Sequence, residues 1–268
     1  VYAPDKVPPG GGPYGDSDVR DEQYWAAAEL LITTAKPEYR QALERSSWHL
    51  RVPTTLGSNA ADKGQSAVLD WQNVGAAGTI SLAVAGDESK LGDLPKKARA
   101  AVAHAADALL GLREREGYRI PFKGGPDGYP WGSNSFLLNN AVVLGLAYDF
   151  TQDGKYVAAV ISSLDYVLGE NALDQSYVTG YGARPLRNPH HRFFSHQVRE
   201  DRPEPPPGIV SGGPNSSVQD PYARAAGLEG KPAQQCFIDH IESWSTNEVT
   251  INWNAPLAWV AAFASGLP

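Results

Sequence analysis

Methionine is absent from the 268 residues and cysteine occurs once. The single Cys236 allows no internal disulfide and no cysteine-rich zinc site, so cysteine usage leaves the redox compartment open. No initiator stands at Val1, so the start reads as processed, trimmed or internal to something longer. Val1–Pro13 has neither a charged n-region nor an apolar h-region. No apolar run approaches the roughly 20 residues that cross a bilayer, so no membrane partner is expected. Positive charge is also short: 23 Lys and Arg against 30 Asp and Glu leave a formal −7, with no basic stripe. That balance argues against nucleic acid and against an anionic membrane surface. Gly10–Gly12 lacks the preceding strand and the following Lys-Ser/Thr of a phosphate loop, and no Gly-x-Ser-x-Gly elbow occurs. Strand-type alternation bounded by hairpin signals is scarce.

Apolar residues are plentiful, at 42%, enough for one large core. The 27 Gly and 21 Pro have to sit mostly in loops, so loops should carry much of the protein's character. Seven Trp, twelve Tyr and seven Phe serve either core packing or a groove lined with flat faces. Helical periodicity predicts helices over Asp21–Lys36, Pro37–Leu50, Leu69–Ala85, Pro95–Arg115, Asn134–Phe150, Asp153–Glu170 and Asn247–Ser265. The class expected is all-α, built from antiparallel helix pairs in one domain over 1–268, without internal repeats or a linker. Ala172–Thr246 breaks the rhythm: it is rich in Pro and Gly and holds His190, His191, His196 and His240, four of the six histidines. A structureless stretch this long is functional or a sign of misread elements.

Three constellations could carry chemistry. Ser176–Arg184 leads into Pro189-His190-His191-Arg192, a Pro-fixed loop whose imidazoles and guanidinium suit hydroxyls or a carboxylate, or else staple the loop. Adjacent histidines in extended chain point to opposite faces and make a poor metal site. Phe237–Ala255 holds Asp239, Glu242, Trp244, Glu248 and Trp253. Asn247 reads as the N-cap of the last helix with Glu248 in its first turn, ordinary helix chemistry. Equally, Glu248 could face a cleft as a general acid, its pKa raised by nearby tryptophans, with Asp239 converging on it. Finally, Ser17, Asp18, Asp21 and Glu22 crowd oxygen donors at the first helix, which suits either a hard cation such as Ca²⁺ or a plain capped helix start.

The first two constellations resemble the two signature motifs of glycoside hydrolase family 9, the inverting cellulases. Ser176 to Arg192 has the family's spacing through Pro-His-x-Arg, and Phe237-x-Asp239-x4-Trp244-x3-Glu248-x-Thr250-x3-Asn254-Ala255 matches the second motif at every fixed position. Pro9–Asp18, Trp131-Gly-Ser-Asn134, Asn139-Asn140 and Gly212-Gly-Pro-Asn215 agree. The resemblance covers the whole chain and implies an (α/α)6 barrel and a secreted β-1,4-glucanase. It makes Glu248 the catalytic acid, Asp239 an essential neighbouring carboxylate, and His190 and Arg192 contacts to the sugar beside the cleaved bond. Trp131 and Trp253 would line sugar subsites. Ser17, Asp18, Asp21 and Glu22 would form a structural Ca²⁺ site, with Asn73 where the family has an aspartate. The family's Asp-Ala-Gly-Asp motif, which holds and activates the attacking water, is absent, and about seven helices are expected where such a barrel has twelve. The chain therefore resembles roughly the C-terminal half of the catalytic domain, its partners being β-1,4-glucan and the missing N-terminal half. The competing expectation is a catalytically incomplete fragment that binds β-glucan through its aromatics.

Overall fold

A computed structural model describes residues 16, 18–57 and 64–267. Ser17 lies outside the described residues, as does nearly all of the Pro9–Asp18 stretch. Ten helices follow in order among the described residues: α1 Arg20–Thr34, α2 Pro37–Arg45, α3 Gly75–Ala85, α4 Glu88–Leu91, α5 Leu94–Arg113, α6 Ser133–Thr151, α7 Val157–Leu168, α8 Pro221–Ala225, α9 Trp244–Asn247 and α10 Ile251–Ser265. No strand forms among the described residues beyond isolated bridges, so the all-α expectation holds. None of these helices is long and apolar enough to cross a membrane.

Local chemistry sets the helix ends. α1 stops where Ala35 turns left-handed (φ 54°) and donates its N–H to the Leu31 carbonyl, and Pro37 then opens α2. The stretch expected as one helix over 153–170 begins instead with a 3-10 turn, Gly154–Tyr156, capped by the Asp153 carboxylate. It ends at Gly169. The expected Leu69–Ala85 helix loses its first turn because Asp70 accepts the N–H groups of Gln72 and Asn73 and folds them into a turn.

α6 is buried nearly all round, packed between α5, α7 and α10, and the main core gathers about it. α1 closes on α3 at Gly78, where an added Cβ would lie 2.7 Å from the Tyr24 ring. That contact delivers the Tyr24 hydroxyl to Thr79 at 2.9 Å and to the Leu50 N–H at 3.0 Å.

Residues 172–246 contain α8, most of α9 and a 3-10 turn at Ala233–Gln235, and much of the rest is irregular. They are not a surface loop. Tyr177, Val178, Leu186, Val210, Phe237 and Asn215 are buried, and the backbone is satisfied loop against loop, as in Thr179 N–H to Ile209 O and Ser211 N–H to Tyr177 O. The segment forms a second layer laid over the helix ends.

Candidate active site

Glu248 sits differently from the helix-capping expectation. α9 ends at Asn247, Glu248 is extended (φ −63°, ψ 154°), and α10 starts three residues later with Thr250 before it. Asn247 is therefore not the N-cap of the last helix, and Glu248 is not in its first turn. Its backbone pairs with neighbouring loops instead, which removes the helix-dipole explanation for an acid at this position. His190 N–H donates to Asn247 O at 2.8 Å, and Gly212 N–H donates to Glu248 O at 2.8 Å.

Residues 133–134 and 212–214 converge on that edge. Ser133 Oγ donates to Pro214 O at 2.7 Å, Asn134 N–H to Gly212 O at 3.0 Å, and Gly213 N–H to Thr246 O at 3.0 Å. Gly213 takes φ 85°, and a Cβ there would strike the Asn134 side chain at 2.4 Å, so only glycine admits this seam. Asn254 locks α10 to the same layer, accepting from Val210 N–H at 2.9 Å. The floor is thus sewn from residues 131–134, 188–190, 211–214 and 246–248.

On this floor the Glu248 carboxyl is half-buried. Desolvation raises its pKa, while the His190 imidazole and the Trp131 side chain beside it pull the other way. His190 Nδ1 bonds the Ile241 carbonyl, which fixes the proton on Nδ1 and leaves Nε2 for a ligand. His191 turns elsewhere: its Nδ1 accepts the Phe193 N–H and its ring stacks on Phe194 at 4.8 Å. Arg192 is exposed and lines a cavity of about 240 Å³ with His190, His191, Ile241 and Glu242. Trp131 is 36% exposed and leans on Trp244, centroids 5.1 Å apart.

Two of the expected site residues take other positions. Trp253 is 8% exposed, and its ring fills the spaces over Gly132 and Gly212, where added Cβ atoms would lie 2.8 Å from it. A ring so covered supports the floor from below and does not present a sugar platform. Asp239 directs its carboxylate to the loop before His190, accepting Arg187 N–H at 2.8 Å and Asn188 N–H at 2.7 Å. The carboxylate thereby ties down the backbone that leads into His190.

Asp220 was not singled out from the sequence. It is fully buried and accepts from Ser243 Oγ at 3.1 Å, Ser245 N–H at 3.0 Å, Ser245 Oγ and, as the cap of α8, Ala223 N–H at 2.6 Å. It anchors the turn that leads through α9 to Glu248. Its sequence signal, Asp before Pro at a helix start, reads only as a cap.

At the other end of the chain, ligand oxygens of Asp16, Asp21 and Glu22 all lie within 4.8 Å of one another. Asp16 Oδ2 and Glu22 Oε2 are buried without a hydrogen-bond partner among the described residues. Burial, then hydrogen bonding to Asp21, pushes the Glu22 pKa up to about 7. The Asp18 carboxylate is taken by Arg20, whose hydrogen bonds bring its pKa down to about 2, so Asp18 has only its carbonyl to offer. Asp16 joins the cluster as a further carboxylate. Val74 N–H donates to Asp21 at 2.8 Å and ties the 70–74 turn to α1, while the Asn73 amide donates to Asp70 at 2.9 Å.

The family model described as glycosyl hydrolase family 9 matches residues 2–261. The chain belongs to that family. Over 269 residues it is 49% identical to a cellulose 1,4-beta-cellobiosidase of Acetivibrio thermocellus, spanning 98% of this chain and 30% of the relative. Endoglucanase C of Cellulomonas fimi is 39% identical over 99% of this chain and 23% of its own length. Among solved structures, a thermostable endoglucanase of Alicyclobacillus acidocaldarius superposes with a TM-score of 0.78 at 34% identity, covering 98% of this chain and 46% of that one. AaCel9A in complex with cellobiose-like isofagomine gives 0.75 at 35% identity, over 95% and 45%. The chain thus spans 23–30% of these curated family relatives and less than half of these solved chains, and its fold is part of an (α/α)6 barrel.

Proposed function

We propose that this chain supplies the general-acid side of a secreted β-1,4-glucanase that cleaves cellulose-like chains with inversion. The observation that carries the reading is the half-buried Glu248 carboxyl, its pKa raised, set between the His190 imidazole and the Trp131 indole on a floor of paired loops. A carboxyl whose pKa is raised by burial keeps its proton to higher pH than an exposed glutamate and can give it to the glycosidic oxygen as the bond breaks. His190 Nε2 and Arg192 would hold hydroxyls of the sugar beside that bond, and Trp131 would carry a ring face. Inversion needs a second carboxylate far enough away to admit a water, and the Asp-Ala-Gly-Asp residues that would activate that water belong to an N-terminal half supplied elsewhere. Residues 1–268 alone should accordingly release few reducing ends from soluble cellulose, whereas mixing with that half should restore turnover and yield product first in the inverted anomeric form, read by NMR. Robust turnover by the chain alone would overturn the half-site reading, and glucan binding without turnover in the mixture would favour the alternative, a binding module.

Asp16, Asp21 and Glu22, with the Asp18 carbonyl, fit a structural Ca²⁺, since three converging carboxylates, two of them with buried unpartnered oxygens, suit a hard divalent cation. When bound, the ion would neutralise that cluster and brace α1 against the 70–74 turn. The Glu22 pKa is higher folded than unfolded, so without metal the folded state binds the extra proton and stability should fall as pH rises from about 4.5 to about 7. Binding must displace that proton, so Ca²⁺ should raise the melting temperature more at pH 8 than at pH 5.5 and release close to one proton near pH 6. Calorimetry in two buffers of different ionisation enthalpy measures that release. Melting indifferent to chelator at both pH values would remove the site.

A further inference from the structure

Outside the Glu248 site, a cavity of about 510 Å³ opens between the end of α7 and the turn after α5, lined by Tyr118, Gly169, Glu170, Asp174 and Arg184 among others. It shares no residue with the smaller cavity beside His190. Its first wall is an unusual backbone. Tyr118 (φ 57°, ψ 13°) and Arg119 (φ 50°) are consecutive left-handed residues, neither of them glycine. Such a pair persists only where its surroundings over-determine it. Here the Arg119 guanidinium reaches both Glu114 oxygens at 2.7 Å, its N–H donates to Glu116 O at 3.2 Å, and its carbonyl accepts the Ser162 hydroxyl at 3.0 Å. The outcome is a Tyr118 ring that stays 50% exposed beside the cavity while meeting Tyr166 edge-on, centroids 6.2 Å apart.

The facing wall is polar and held in place. Arg184 donates to Leu173 O at 3.1 Å and lies 3.8 Å from the Asp174 carboxylate. Gly182 before it is left-handed (φ 87°), with the Leu168 carbonyl 2.5 Å from where a Cβ would go, so this loop is pressed against the end of α7. Glu170 and Asp174 are exposed. One flat apolar face, one guanidinium and two carboxylates suit a ligand that is neutral, has an apolar C–H face and is ringed by hydroxyls. An anion would meet two carboxylates and a cation would meet Arg184. A pyranose meets the description, and the volume holds a short run of them.

We propose that this cavity is an accessory binding site for a segment of a neutral β-glucan chain, with Tyr118 stacking on one sugar ring and Glu170, Asp174 and Arg184 taking its hydroxyls. The identity of the sugar rests on the glucanase reading above; the site itself lies apart from the residues that reading uses. It should hold a long chain without taking part in cleavage.

The test uses the complete protein carrying Glu248→Gln, titrated with cellotetraose by calorimetry and by NMR. Two binding events are expected. Tyr118→Ala should weaken one of them roughly fivefold or more and spare the other, while Tyr118→Trp should keep both. Glu170→Ala, an exposed change with little bearing on folding, should weaken the same event. With Glu248 intact, Tyr118→Ala should leave cellotetraose hydrolysis unchanged and lower release from insoluble cellulose. A single event untouched by Tyr118→Ala and Glu170→Ala, while the protein with Glu248 intact cleaves cellulose, would overturn this proposal alone. Neither binding nor cleavage of any β-glucan would overturn it together with the glucanase reading.

Discussion

Glu248→Gln in the complete domain should lower turnover on cellulose by roughly 10²-fold or more, with substrate binding retained. The amide keeps the shape of the side chain, and His190, Arg192 and Trp131 remain to hold the sugar. What is lost is the proton. With Glu248 as the acid, its desolvation keeps the carboxyl protonated to a higher pH than an exposed glutamate, so activity should decline as pH rises through that raised value. The alkaline limb should vanish in the variant. Asp239→Asn is the informative comparison, because its carboxylate is spent on the Arg187 and Asn188 N–H groups. An amide there offers one acceptor where two are used, so the loop carrying His190 shifts. Substrates with good leaving groups need little protonation, and they should rescue Glu248→Gln much more than Asp239→Asn. Near-normal cellulose turnover by Glu248→Gln alongside an inactive Glu242→Gln would show that the acid had been assigned to the wrong carboxylate.

The largest stability effect is expected at Asp220. Asp220→Ala removes the acceptor for Ser243, both donors of Ser245 and the Ala223 N–H, all within a buried site. Leaving buried donors unmet costs about 1–3 kcal/mol each before relaxation, so a loss of about 3 kcal/mol or more is expected. That corresponds to a melting temperature lower by about 5 °C or more. Asp201→Ala is the control: it breaks an exposed pair with Arg199 at 2.9 Å and should cost almost nothing. Activity should fall with Asp220→Ala even below its melting point, because the Ser243–Ser245 turn leads directly to Glu248. Equal melting of the two variants would show that Asp220 is not the anchor.

The helices were legible where one face is apolar and the ends carry strong signals, as in α1 and the start of α2 with Pro37 between them, or α5 behind Pro95, whereas α2 stops at Arg45, short of the expected Leu50. Legibility failed where a side chain competes with the helix for backbone N–H groups. Asp70 takes the first turn of the expected 69–85 helix in this way, while residues 247–248 pair their backbone with the loops at His190 and Gly212 in place of a helix start. The residue types of the site were visible in the sequence because motif spacing depends on the chain alone.

By itself, then, the sequence determined the helical class and the two motifs that mark the family, and marked 172–246 as a break in the helical rhythm, though not the short helices α8 and α9 that form there. All of these are properties of local pattern and order along the chain. Only the tertiary structure decided what each side chain does. Trp253 and Trp131 look alike in sequence, yet one is sealed over Gly132 and Gly212 while the other stands open beside Glu248. Asp239 and Glu248 share a motif, yet one is consumed by two N–H groups and the other keeps a desolvated carboxyl. Asp16 joins the carboxylate cluster of Asp21 and Glu22 while the Asp18 carboxylate goes to Arg20. The physical reason is the same each time: exposure, hydrogen-bond partners and local dielectric are set by segments distant in sequence, so a carboxylate's role is fixed by what packs around it.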